Sequence, residues 1–72
     1  MMRVKLSNRI GCELIPLNNT FAVHMLSEDY PLIVEDMESN ESYQTAIVKY
    51  YEYQSNRLIV RTQNTRYEFE VI

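Results

Sequence analysis

The feature that most constrains this chain is a period of two in hydrophobicity along its C-terminal part. Segments 43–54, 57–63 and 66–72 alternate apolar and polar residues, the pattern of half-buried β-strands. Ser55-Asn56 and Asn64-Thr65 are predicted as two-residue hairpin turns between them, although neither is the strong Asn-Gly signal. A turn at Ser55-Asn56 sets Tyr53 opposite Leu58, Tyr51 opposite Val60 and Tyr50 opposite Arg61. A turn at Asn64-Thr65 sets Thr62 opposite Tyr67, Val60 opposite Phe69, Leu58 opposite Val71 and Arg61 opposite Glu68. Both hairpins assign the same side of 57–63 to the core, and a one-residue slip in either would reverse its apolar set. Tyr51 and Tyr53 are therefore predicted to point inward and Tyr50 outward.

A helix over 40–53 is the competing reading, since Ser39, Asn40 and Ser42 are possible N-caps. Tyr43, Thr45, Ile47, Val48, Tyr50, Tyr51 and Tyr53 are mostly β-branched or aromatic and favour a strand. Upstream, Met2, Val4 and Leu6 alternate with Arg3, Lys5 and Ser7, a half-buried strand. Apolar runs at 12–17, 21–26 and 32–37 are predicted as further strands, with a turn at 27–31 and a loop at 38–42. Gly11 and Pro16 interrupt any strand over 8–20. With one glycine and two prolines, most turns fall to polar residues, above all Asn18, Asn19, Asn40, Asn56 and Asn64. The expected fold is all-β: a single domain over 1–72, with six or seven short strands in an antiparallel meander that curls into a barrel or two packed layers.

A chain of 72 residues has a thin core. Cys12 is the only cysteine, so no disulfide forms within the chain, and a lone thiol fits a reducing compartment. Cys12 and His24 together cannot supply the four protein ligands of a structural zinc site. No apolar run approaches the length of a membrane-spanning helix, and the first residues do not form a secretory signal. A cytoplasmic location is the default expectation.

Charge supplies the functional lead. Between Ile10 and Val48 there is no lysine or arginine, while Glu13, Glu28, Asp29, Glu35, Asp36, Glu38 and Glu41 fall in that stretch. All seven basic residues lie outside it, and the formal net charge is −3. One consequence is an acidic surface that steers toward a basic partner; the other is a solvated face that only maintains solubility. The candidate contact residues are Glu28, Asp29, Glu35, Asp36, Glu38 and Glu41, with Tyr50 as a possible aromatic contact. Tyr50, Arg57 and Arg61 also suggest a nucleic-acid face, but Glu52, Glu68 and Glu70 are interleaved with them and the chain is acidic overall.

Asp36, Glu38 and Glu41 lack the spacing and glycine of a calcium loop, so no metal or other cofactor is expected. His24 lies within an apolar run and no residue pair marks a nucleophile with its base, so no enzymatic activity is expected. In size and charge the chain resembles the small acidic accessory proteins of phages and mobile elements, some of which inhibit host defence nucleases. That resemblance implies a protein that blocks a basic surface, and it carries over no individual residue. The expected function is thus a non-enzymatic protein-binding module, in its sharpest form a small acidic inhibitor of a nucleic-acid-handling protein. The alternatives are an oligomeric subunit assembling through a sheet edge such as 66–72, or a small nucleic-acid-binding barrel.

Overall fold

The computed structural model describes residues 1–11 and 15–72. It is all-β: β1 (Arg3–Ile10), β2 (Thr20–Met25), β3 (Pro31–Asp36), β4 (Ser42–Ile47), β5 (Tyr50–Gln54), β6 (Arg57–Arg61) and β7 (Arg66–Val71). All pair antiparallel in one sheet of order β4-β3-β2-β1-β7-β6-β5. Of the run at 12–17, residues 12–14 lie outside the described residues, and 15–17 belong to no strand. Ile15 is nonetheless fully buried, so its apolar signal marks core rather than sheet.

The two edge strands, β4 and β5, are consecutive in the chain. Seven strands laid flat would separate the outer two by about 29 Å. Yet Ile47 and Tyr50 are only three residues apart, which allows at most about 11 Å. The sheet must therefore fold over onto itself. Among the described residues its hydrogen-bonded ladder stays open, because β4 pairs only with β3 and β5 only with β6.

The joint is Val48-Lys49. The Val48 amide donates to the Tyr30 carbonyl at 2.9 Å, and the Val48 carbonyl accepts from the Asp29 amide at 2.9 Å. The Lys49 amide donates to the Arg61 carbonyl at 2.8 Å. The predicted single strand over 43–54 is thus two strands bent at a corner pinned to both the β2–β3 turn and β6. Val48 is fully buried there. Val48→Ala should lower stability by about 2 kcal/mol through lost burial and the cavity left behind; a urea titration with an unchanged midpoint would show that the corner closes over the gap.

One face of the folded sheet forms the core. Val4 and Leu6, Phe21, Leu32 and Val34, Leu58 and Val60, and Tyr67 and Phe69 bury their side chains together with Ile15 and Val48. Phe21 meets Tyr43 edge-to-face with ring centroids 6.1 Å apart, a favourable arrangement of aromatic quadrupoles. Turn chemistry follows the asparagine expectation in part. Asn18, Asn40 and Asn56 adopt positive φ, as do Asp29 and Ser55, whereas Asn19 and Asn64 do not. With φ 52° at Ser55 and 61° at Asn56, the β5–β6 turn has the mirror-image geometry that matches strand twist.

The β5–β6 register is the predicted one: Tyr50, Tyr51 and Tyr53 lie opposite Arg61, Val60 and Leu58. The β6–β7 register is displaced by two residues, with Val60 opposite Tyr67, Leu58 opposite Phe69 and Arg61 opposite Arg66. The turn is centred on Gln63-Asn64, closed by the Thr62 amide donating to the Thr65 carbonyl at 2.9 Å. A displacement of two leaves every side chain on its predicted face. The C-terminal strand is not an edge, as it lies between β1 and β6.

Candidate partner-binding surface

β5 is the strand whose side chains are all exposed. Tyr50 is outward as predicted. Tyr51 and Tyr53 share the face of the buried Val60 and Leu58, but they are not core: Tyr53 is 53% exposed and Tyr51 37%. The reason is position. β5 is the last strand of the sheet, and among the described residues no strand lies beyond it to extend the cover over its inner side chains. Tyr50, Tyr51 and Tyr53 thus form a row of large amphipathic side chains on both sides of one edge. The Tyr50 hydroxyl donates to Glu52 Oε2 at 2.8 Å, and that bond raises its pKa above the ordinary phenol value, with desolvation adding to the effect.

The acidic residues do not gather into one patch. Glu28 and Asp29 are exposed on the β2–β3 turn, which the Asp29–Val48 bond holds against the corner leading into β5. The Glu28 charge is close enough to act on the Tyr50 hydroxyl. Glu38 and Glu41 are exposed on the β3–β4 turn, at the other end of β3, a strand of six residues and hence roughly 20 Å long. Glu35 lies partly exposed on the outer face, with Oε1 2.8 Å from His24 Nε2. A pair that is this open to solvent contributes little to stability.

Asp36 differs from the other five. It is 3% exposed, and its carboxylate organises the β3–β4 turn. Oδ1 accepts from the Glu38 amide at 2.9 Å and the Ser39 amide at 3.3 Å, while Oδ2 accepts from Asn19 Nδ2 at 2.8 Å. These bonds, the Glu38 amide foremost, hold its pKa below the ordinary 3.8 against the opposing effect of burial. The sequence carried a signal for this role, since aspartate is favoured at the first position of a turn. Asp36 is therefore a fold-organising residue and is inaccessible to a partner.

No protein-family model, curated protein or solved structure matches the chain.

The outer face of β1, β7, β6 and β5 mixes charges. Glu70 lies between Lys5 and Arg57, Arg66 Nη1 is 3.0 Å from Glu68 Oε2, and Ile59 lies between Glu68 and Glu52. An open depression of about 450 Å³ on this face is lined by Glu52, Gln54, Ser55, Arg57, Ile59 and Arg66. Its two guanidinium groups, Arg57 and Arg66, share the lining with Glu52, and Glu68 and Glu70 lie beside them on the same face, so the surface lacks the net positive footprint that phosphate binding needs. Among the described residues, no three or more His, Cys, Asp or Glu side chains converge as a metal site requires, and no helix is long and apolar enough to cross a membrane.

Proposed function

We propose that this is a non-enzymatic protein-binding module. Its contact surface is the tyrosine edge of β5 with the acidic β2–β3 turn beside it, and its partner presents a basic surface. The observation that carries this reading is that every residue of β5 is exposed, its three tyrosines included. Tyrosine supplies a large apolar body and a polar tip at low entropic cost, and with tryptophan and arginine it is enriched at binding hot spots. The neighbouring Glu28 and Asp29 add attraction for a cationic partner and act mainly on the rate of encounter. Glu38 and Glu41 extend the same field from the far end of β3. A module of this kind acts by occupying the partner's surface, as a small acidic inhibitor does.

The test is affinity capture from lysate of the natural source with three forms of the protein, each first shown to be folded. In one variant Tyr50, Tyr51 and Tyr53 are changed to Thr, which retains strand preference. In the other, Glu28, Asp29, Glu38 and Glu41 are changed to Gln or Asn. The tyrosine variant should lose the captured protein by at least about tenfold, in line with hot-spot truncations. The acid variant should bind more slowly and lose its salt dependence. Equal capture by a folded tyrosine variant would refute the proposal.

A further inference from the structure

The backbone of β5 carries information that its side chains do not. In an antiparallel pair, alternate residues direct both N–H and C=O toward the same neighbour. The Val71 amide donates to the Asn56 carbonyl and the Thr62 amide to the Thr65 carbonyl. With the β6–β7 register, these bonds fix Leu58 and Val60 as the residues of β6 that bond to β7. Arg57, Ile59 and Arg61 then bond to their opposites on β5, which are Gln54, Glu52 and Tyr50. The Lys49 amide donating to the Arg61 carbonyl agrees with this phase. Tyr51 and Tyr53 are left with their amides and carbonyls directed away from β6, toward the open edge.

The other edge is guarded. β4 carries a bulge opposite β3, between the pairs Pro31–Ile47 and Ile33–Gln44. There the Leu32 amide bonds to the Thr45 hydroxyl at 3.0 Å in place of a backbone carbonyl. Bulges of this kind protect sheet edges from pairing. The β5–β6 ladder has a continuous register from Tyr50 to Gln54, and β5 has no proline or lysine within it.

We infer that β5 accepts an added antiparallel strand from the partner, and that this strand carries a lysine or arginine opposite Glu52 with apolar residues on either side of it. This rests on the protein-binding reading above and specifies its mode. The choice of occupant follows from charge. Glu52 is the only charged residue of β5 and lies at its midpoint, and no lysine or arginine among the described residues pairs with it. A second copy pairing over the full strand would set Glu52 opposite Glu52, an unfavourable cross-strand pair. A cation there completes the pair. Apolar residues flanking it lie against Tyr51 and Tyr53 on the opposite face, where both tyrosines are exposed. Strand addition gives affinity through main-chain hydrogen bonds and specificity through such alternate side-chain contacts.

The probe is a blocked synthetic peptide, Ser-Thr-Val-Lys-Val-Thr-Ser, with two controls. One has Glu for Lys, and the other is N-methylated at both valines. Binding is followed by NMR and amide hydrogen exchange on the whole protein. The lysine peptide should slow exchange at the Tyr51 and Tyr53 amides at least tenfold while leaving Tyr50 and Glu52 unchanged. It should bind at least tenfold tighter than the glutamate peptide, Glu52→Lys should invert that preference, and N-methylation should abolish binding. Equal binding of the N-methylated peptide, or no response along β5 to millimolar peptide, would overturn the inference. A concentration-dependent dimer through β5 would overturn the choice of occupant. If the peptides fail while the tyrosine variant still loses its captured protein, strand addition falls and the binding module stands. If the tyrosine variant captures as well as wild type, the module itself falls.

Discussion

Replacing Gly11 with alanine should lower the thermal midpoint by more than 10 °C. Gly11 is the only glycine, and two separate constraints meet there. Its φ is +115°, a conformation that an L side chain adopts only under strain. Its missing Cβ would also point at the Asn64 carbonyl oxygen, inside any real contact distance, and lie 3.1 Å from the Thr65 Cα. Both obstacles are backbone, so no side chain can rotate away. The strain alone costs about 1–3 kcal/mol, and displacing the β6–β7 turn adds to it. A domain with a thin core has only about 3–5 kcal/mol of net stability. At about 4–8 °C per kcal/mol for a domain of this size, circular dichroism melting would resolve the change easily. An unchanged midpoint would mean that the turn at 63–64 moves aside without penalty, and the close packing would not matter.

The second large effect is expected at Asp36. Asp36→Ala removes the acceptor for two amides and for Asn19, leaving donors in a partly buried turn without partners. The thermal midpoint at neutral pH should fall by on the order of 10 °C. The sign of the pH dependence follows from the depressed pKa. A carboxylate held below its ordinary value contributes fully above the unfolded-state pKa near 3.8, and that contribution is lost as pH falls through the lower folded-state value. The gap between wild type and Asp36→Ala should therefore be constant from neutral pH to about pH 5 and shrink below pH 4. A gap independent of pH down to 2 would show that the charge of Asp36 has no part in holding the turn.

Much of the sheet was legible in the sequence, and the departures have physical causes. Alternation fixes which face a residue takes but not the position of a turn. The β5–β6 register was therefore readable, because Ser55 and Asn56 are the residues that the turn needs. The β6–β7 register was readable only to within a shift of two. Its turn moved to 63–64, where Gly11 packs against Asn64 and where the buried Thr62 and Thr65 close the ladder. The bend at Val48-Lys49 has no glycine or proline to announce it. The available signal was the adjacent apolar pair Ile47-Val48, which breaks the period of two. Inward direction was mistaken for burial at Tyr51 and Tyr53, since alternation says nothing about which strand ends the sheet. The acidic run was visible, but its separation to the two ends of β3 follows from strand length and turn placement, and the special role of Asp36 from hydrogen bonds across 17 residues to Asn19.

The strand order has a consequence for how the chain assembles. Five of the six ladders join strands that follow one another in sequence; only β1 with β7 does not. Two meanders, β1 to β4 and β5 to β7, can each form from neighbouring segments alone. Among the described strands, the loop-closure entropy of pairing segments distant in sequence therefore falls on one ladder, β7 along β1, which joins the two meanders into a single sheet.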